Sequence, residues 1–156
     1  MYFVDPACIE FSDKAAAKYV CGGWLEEYVN IALTRCAPHA HDTDVEVMHE
    51  GTRGVNNQFD GLALHRNRML FIEAKAARMD EEEKEQEVLN KIETLGGFAT
   101  GKFGTLLLVS ARILPDHARD RARAFGIDLL HGTDITRLEE YVQAWMLGKK
   151  LTGLSA

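Results

Sequence analysis

Residues Asn57–Lys75 read NQFDGLALHRNRMLFIEAK. Two apolar runs, Phe59 to Leu64 and Met69 to Ala74, flank Arg66-Asn67, and this pattern predicts a β-hairpin closed by a tight turn. With Arg66 and Asn67 at its centre, cross-strand partners have numbers summing to 133, which sets Asp60 opposite Glu73. Leu62, Leu64, Met69 and Phe71 share the face of these two acids. Gly61, Ala63, Leu70, Ile72 and Ala74 form the reverse face, so both sides are covered and the acids are half buried. Lys75, two residues beyond Glu73, lies on the same face. Two carboxylates roughly 5 Å apart repel by about 3 kcal/mol at an effective dielectric near 20, and desolvation adds to that cost. Lys75 supplies one compensating charge, and a divalent cation would supply the rest.

This set suits phosphodiester hydrolysis. Carboxylates hold Mg²⁺ or Mn²⁺, which lowers the pKa of a bound water and stabilises the leaving oxygen, while Lys75 orients that water or offsets charge in the transition state. From these three residues alone a second reading stays open: a charged strand end carrying a Glu73–Lys75 salt bridge.

Upstream, Ser12 is placed to cap a short helix to about Val20, with Cys21-Gly22-Gly23 as a break. Leu25, Tyr28, Val29, Ala32, Leu33 and Cys36 then form one stripe of a helix from Trp24 to Cys36, ended by Pro38. Asp44 to His49 alternates as a strand. Downstream, Asp80 and Glu83 offer a capping box for a helix with Val88, Leu89, Ile92 and Leu95 on its apolar face, ending at Gly96-Gly97. Thr105 to Ser110 is a strand, Pro115 opens a helix stopped by Gly126, and Ile127 to Leu130 is a last strand. Asp134 is placed to cap a final helix closed by Gly148, and the tail after it reads as disordered. The order α, α, β, β, β, α, β, α, β, α predicts an α/β fold: one central mixed β-sheet flanked by helices.

With 156 residues, 46% of them hydrophobic, the chain can bury one sizeable core, so a single domain is expected. No apolar run approaches the roughly 18 residues of a membrane helix and no signal peptide pattern opens the chain, which predicts a cytoplasmic protein without membrane partners. Cys8, Cys21 and Cys36 are odd in number and widely spaced, and read as buried free thiols. A net charge of −6 excludes a protein that simply coats nucleic acid, though not an enzyme with local basic patches.

The spacing of Asn57-Gln58-Phe59-Asp60 and Glu73-Ala74-Lys75 resembles the D…ExK signature of PD-(D/E)XK, restriction-endonuclease-like enzymes. Gly22-Gly23-Trp24-Leu25-Glu26-Glu27-Tyr28-Val29, the hairpin, and Lys91-Ile92-Glu93 before Gly96-Gly97 are similar, more specifically, to the nuclease domain of CRISPR-ancillary effectors. The similarity spans about Val20 to Trp145. In those effectors the domain follows a CARF sensor that binds cyclic oligoadenylate, and active members degrade nucleic acid with Mg²⁺ or Mn²⁺. Gln58 stands where that family often has Glu, and Ala74 where it often has Cys; neither change removes a core metal ligand. The chain begins about twenty residues before the long helix, so a nuclease domain over 1–156 is expected, with a core at 20–147, a tail at 148–156 and no sensor domain. It is then a stand-alone relative or an excised domain, monomeric or homodimeric, with a separate sensor or activator protein as a further partner.

The resemblance also implies a fourth acid from the first long helix, where both Glu26 and Glu27 are present. At 100° per residue Glu26 lies roughly 90° from the centre of the buried stripe and Glu27 roughly 190° from it, which selects Glu26 as catalytic and metal-binding beside Asp60 and Glu73. Lys91, Lys102, Arg66 and Arg78 are the candidate substrate contacts, and Arg68, Arg112, Arg119, Arg121 and Arg123 widen that basic set. Gly96-x-x-x-x-Gly101-Lys102 nearly spells a phosphate-binding loop but runs helix–loop–strand and lacks the final Ser or Thr, so a glycine loop beside the site is the better reading. His39-Ala40-His41-Asp42 reads as a solvated connection, and Asp80 to Glu87 as an exposed acidic helix start. The expected function is therefore a metal-dependent nuclease acting on DNA and, as a second substrate class, RNA, in prokaryotic defence. A catalytically silent nuclease-fold module that binds nucleic acid or a partner chain is the alternative.

Overall fold

The computed structural model describes residues 2–5, 8–48, 56–76, 89–90 and 104–154. A hairpin of β1 (Tyr2–Asp5) and β2 (Cys8–Glu10) opens the chain, in a stretch to which the sequence reading gave no element. Helix α1 (Lys14–Lys18) is capped by Asp13, whose Oδ1 accepts from the Ala16 N–H at 2.7 Å, one residue later than the expected Ser12. The expected break at Cys21-Gly22-Gly23 is instead a π-helical turn, Tyr19–Gly23, that runs directly into α2 (Trp24–Cys36). Gly23 adopts ordinary right-handed helical angles, so glycine's intrinsic preference is overridden by the helices on either side. Ala37, in the left-handed conformation, ends α2 just before Pro38.

Strand β3 (Ala40–Asp42) is an exposed sheet edge, where a solvated loop was expected. Next come β4 (Val45–Met48), β5 (Asn56–Phe59), β6 (Gly61–His65) and β7 (Arg68–Lys75). The β6–β7 register runs from Gly61↔Ile72 to His65↔Arg68, the expected pairing. Arg66 and Asn67 have φ of 48° and 60°, as a two-residue turn matched to strand twist requires. What differs is the expected single strand from Phe59 to Leu64: it is interrupted at Asp60, because β5 pairs with β4 and only β6 joins the main sheet.

The chain continues with β8 (Gly104–Ser110), α3 (Asp116–Ala124), β9 (Ile127–His131), a 3₁₀ segment Gly132–Arg137 and α4 (Leu138–Met146). Asp134 is buried inside the 3₁₀ segment and Arg137 occupies the cap position of α4, which corrects the expected Asp134 cap. The main sheet has the order β3-β6-β7-β8-β9, antiparallel up to β7 and parallel from β7 to β9. This is the expected mixed sheet flanked by helices.

Two apolar layers sandwich the sheet. Leu25, Val29 and Leu33 of α2 and Leu138, Val142 and Trp145 of α4 pack with Ala63, Leu70, Ile72 and Leu107. On the reverse face Phe59, Phe71, Leu106 and Leu108 pack with Ala118 and Ala122 of α3 and with Leu89. Leu89 is the described part of the expected 80–96 helix face; the rest of that helix, the 96–102 glycine loop, Lys91, Lys102 and Arg78 lie outside the described residues. The tail is not free through Leu154: Leu151 and Leu154 rest on the first layer, and the Arg137 guanidinium donates to the Thr152 and Gly153 carbonyls. Cys21 is exposed and Cys36 partly buried, which corrects the expectation of uniformly buried thiols. Among the described residues no helix is long and apolar enough to cross a membrane.

Gly61 seats α2 on the sheet. A Cβ there would sit 2.9 Å from Val29 Cγ1 and 3.4 Å from Ile72 Cβ, both in a fully buried layer. Valine is stiff and cannot swing aside, so Gly61→Ala is expected to destabilise the chain by about 1–3 kcal/mol in denaturant unfolding. An unchanged midpoint would contradict this packing.

Candidate active site

Asp60 occupies the one-residue gap between β5 and β6, where the chain leaves one strand pair for another. Its Oδ2 accepts a 2.7 Å hydrogen bond from the Ala74 N–H, just beyond the last β6–β7 pair. The carboxylate is thus pinned to the β7 backbone beside Glu73. Glu73 is 1% exposed, and its Oε1 lies 2.7 Å from Lys75 Nζ, whose side chain is 33% exposed. Alternation along β7 sends both side chains to one face. The structure therefore brings Asp60, Glu73 and Lys75 together at the carboxyl end of β7.

Glu26 of α2 lies within electrostatic range of this group. It is partly buried, and its charge acts on both Asp60 and Lys75. Because Val29 and Leu33 lie over Gly61, the residue one helical turn before Val29 is carried toward the Asp60 end. Gly22, in the π turn, lies beside the Glu26 carboxylate: a Cβ there would be in van der Waals contact with its Oε1 at 4.0 Å. Glu27 is exposed and accepts from the Tyr19 hydroxyl at 2.6 Å. The two adjacent acids thus point in different directions, as the helical geometry predicts.

Arg66, by contrast, sits in the hairpin turn at the other end of β6, about 20 Å from Asp60 at ~3.3 Å per residue. Arg68 is tied to the Met146 carbonyl at 2.6 Å. Arg119, Arg121 and Arg123 are engaged by Asp116, Asn90 and Asp120. Among the described members of the basic set, Arg112 is the one placed at the acidic end, next to Ala111, whose N–H donates to the Lys75 carbonyl at 2.9 Å.

Two polar residues beside the site escaped the sequence reading. Lys75, Ser110 and His131 lie in register across β7, β8 and β9, and Ser110 and His131 are both buried. Ser110 Oγ donates to the Arg112 carbonyl at 3.0 Å and accepts from its N–H at 3.2 Å, while His131 Nδ1 accepts from the Leu114 N–H at 3.3 Å. They fix the 111–114 loop over the carboxyl ends of the parallel strands. Only the strand order reveals them, and that order is nonlocal.

Burial raises the Asp60 pKa from 3.8 to about 6, with the Glu73 charge the next cause; the Ala74 N–H and Lys75 oppose this and Glu26 adds to it. Burial pulls the Lys75 ammonium down, but Glu73, Asp60 and Glu26 reverse that and hold it above its ordinary range. Three carboxylates against one ammonium leave two negative charges in excess, a match for one divalent cation. The donors are hard carboxylate oxygens, the type Mg²⁺ and Mn²⁺ prefer. Among the described residues no three His, Cys, Asp or Glu side chains converge as a ready-made cage.

A pH dependence follows for the metal-free chain. Asp60 binds its proton more tightly folded than unfolded, so its contribution to stability is complete below pH 3.8 and is lost as pH rises through about 6. Thermal unfolding in chelator should show wild type losing stability relative to Asp60→Asn across that window. A difference between the two that does not vary with pH would contradict the shift.

No curated protein matches this chain in sequence. The fold is similar to that of Can2 from Sulfobacillus thermosulfidooxidans, solved in complex with cyclic tetra-adenylate, with a TM-score of 0.73 and 22% identity over 88% of this chain and 39% of that one. It is also similar to the protein VC1899 from Vibrio cholerae, with a TM-score of 0.74 and 24% identity over 90% of this chain and 38% of that one. This chain spans less than two fifths of the length of either structure. Residues 13–149 match the family described as Card1-like, endonuclease domain. That match takes in α1, the hairpin with its acids, and every parallel strand, and the chain belongs to the Card1-like endonuclease domain family.

Proposed function

We propose that this chain is a metal-dependent PD-(D/E)XK endonuclease that cuts DNA and, as a second substrate class, RNA. Its site would hold Mg²⁺ or Mn²⁺ between Asp60, Glu73 and Glu26. The observation that carries the reading is the buried Glu73 paired with Lys75 beside a backbone-pinned Asp60. A structural ion pair alone gives no reason to bury a second carboxylate against the first, because that raises the cost of both.

When bound, the ion would polarise the scissile phosphate and lower the pKa of an attacking water. Asp60 and Glu73 would hold it. Lys75, held charged well above neutral pH, acts as a cation and hydrogen-bond donor toward a nonbridging phosphate oxygen or the water, not as a proton acceptor. The loop carrying Arg112 offers a guanidinium to a neighbouring phosphate.

Family membership supports the nuclease activity. The similarity to Can2, which holds cyclic tetra-adenylate, supports a place in CRISPR-associated defence; a cytoplasmic location, homodimerisation and a separate sensor or activator are further parts of the proposal. Labelled single- and double-stranded DNA and RNA, incubated with the chain and Mn²⁺ or Mg²⁺ and then with chelator, test it. Chelator-sensitive internal cleavage is the expected result, and cleavage that persists unchanged in chelator would overturn the metal assignment.

A further inference from the structure

At the opposite pole from Asp60 and Glu73, roughly 17 Å away along β7, lies a half-open cavity of about 240 Å³. It sits at the amino ends of β7, β8 and β9, where Arg68, Thr105 and Asp128 line it, and beneath α4, which contributes Tyr141 and Trp145. Gly148 to Leu154 close it as a strap. That strap is built in place: Gly148 turns in the left-handed conformation with φ of 72°, and the Lys149 N–H donates to the Ala144 carbonyl at 2.8 Å. Arg137 holds the carbonyls of Thr152 and Gly153 at its far end.

The lining divides by chemistry. Leu129, Leu151 and Leu154 with the Trp145 and Tyr141 rings give an apolar wall. Arg68, Lys149 and Lys150 bring three cations against one acid, Asp128, in a chain whose net charge is −6. Asp128 accepts from the Tyr141 hydroxyl at 2.6 Å, and with three cations against this one acid the lining keeps an excess of positive charge. Trp145 is 5% exposed, so its ring backs the apolar wall from within the core. Its ring also lies 5.7 Å from the Arg68 guanidinium, which fixes the ring beside the cationic rim.

An apolar, aromatic wall with cations at its mouth is complementary to a flat heterocycle carrying a phosphate. We propose that this cavity binds a nucleoside monophosphate, with the base against the Trp145–Leu154 wall and the phosphate at Lys149 and Lys150. Its small volume excludes an oligonucleotide. The site shares no residue with the acidic cluster at the other pole, so the proposal stands apart from the nuclease reading.

The test is calorimetric titration of the full chain, in chelator, with adenosine monophosphate, adenosine and inorganic phosphate as probes. Saturable binding of the monophosphate is expected, with adenosine and phosphate each weaker by about tenfold or more. The exposed-site double variant Lys149→Glu with Lys150→Glu should weaken the monophosphate by about tenfold or more. A Glu73→Gln variant should bind it as wild type does. Absence of saturable binding, binding unchanged by the double charge reversal, binding lost with Glu73→Gln, or free phosphate binding as tightly as the nucleotide would each overturn the proposal.

Discussion

Asp60→Asn is expected to lower the rate of phosphodiester cleavage about a hundredfold or more, about 3 kcal/mol in activation free energy, while the fold is kept. The side-chain oxygen of Asn can still accept from the Ala74 N–H, so the 2.7 Å bond that ties the β5–β6 gap to β7 has a substitute. What disappears is the charge. In chelator at neutral pH the variant should be the more stable protein, because burial and the Glu73 charge both oppose ionisation of Asp60. Glu73→Gln should lose cleavage to a similar extent but without that gain, since it leaves the partly buried Lys75 ammonium without the carboxylate 2.7 Å away. Initial rates at saturating Mn²⁺ and thermal unfolding in chelator, read on the same preparations, separate catalysis from stability. Full cleavage by both variants would remove the two acids from the active site.

Glu26→Ala is expected to slow metal-dependent cleavage by about tenfold or more, of order 1.4 kcal/mol in activation free energy, and Glu27→Ala to leave it nearly unchanged. The contrast is sharp because the residues are adjacent, equally charged and in the same first turn of α2. Only Glu26 is partly buried and electrostatically coupled to Asp60 and Lys75; Glu27 is turned outward to the Tyr19 hydroxyl. Rates measured against Mn²⁺ concentration give the reading, since a lost ligand moves the metal dependence and a lost surface charge does not. An impaired Glu27 variant beside a fully active Glu26 variant would reverse the assignment.

Much of this site is legible in the chain because its key geometry is local. Alternation on either side of Arg66-Asn67 fixes the β6–β7 register, and the 3.6-residue period of α2 separates Glu26 from Glu27. Where the chain's immediate neighbours do not decide the outcome, the reading and the structure part. Phe59 to Leu64 looks like one strand, but β5 belongs to β4, a partner chosen by tertiary pairing, and that choice is what leaves Asp60 free to bond β7. Gly22-Gly23 has the composition of a break, yet the helices on both sides keep it helical. The short edge strand at His41 carries no apolar alternation, since its side chains are exposed. Ser110 and His131 become neighbours of Lys75 only once β8 and β9 are known to lie parallel beside β7. Arg66 shows the converse: it is near the acids in sequence but at the far end of the hairpin, because each strand carries its ends apart.

Binding of Mn²⁺ to the wild-type chain and to an Asp60→Asn, Glu73→Gln double variant, measured by calorimetry at neutral pH, addresses the acidic cluster most directly. The paired carboxylates predict saturable Mn²⁺ binding by wild type, with loss in the double variant of about a hundredfold or more in affinity. Equal affinity in the two proteins, or no saturable binding by wild type in the presence of substrate DNA, would contradict a metal centre at Asp60 and Glu73.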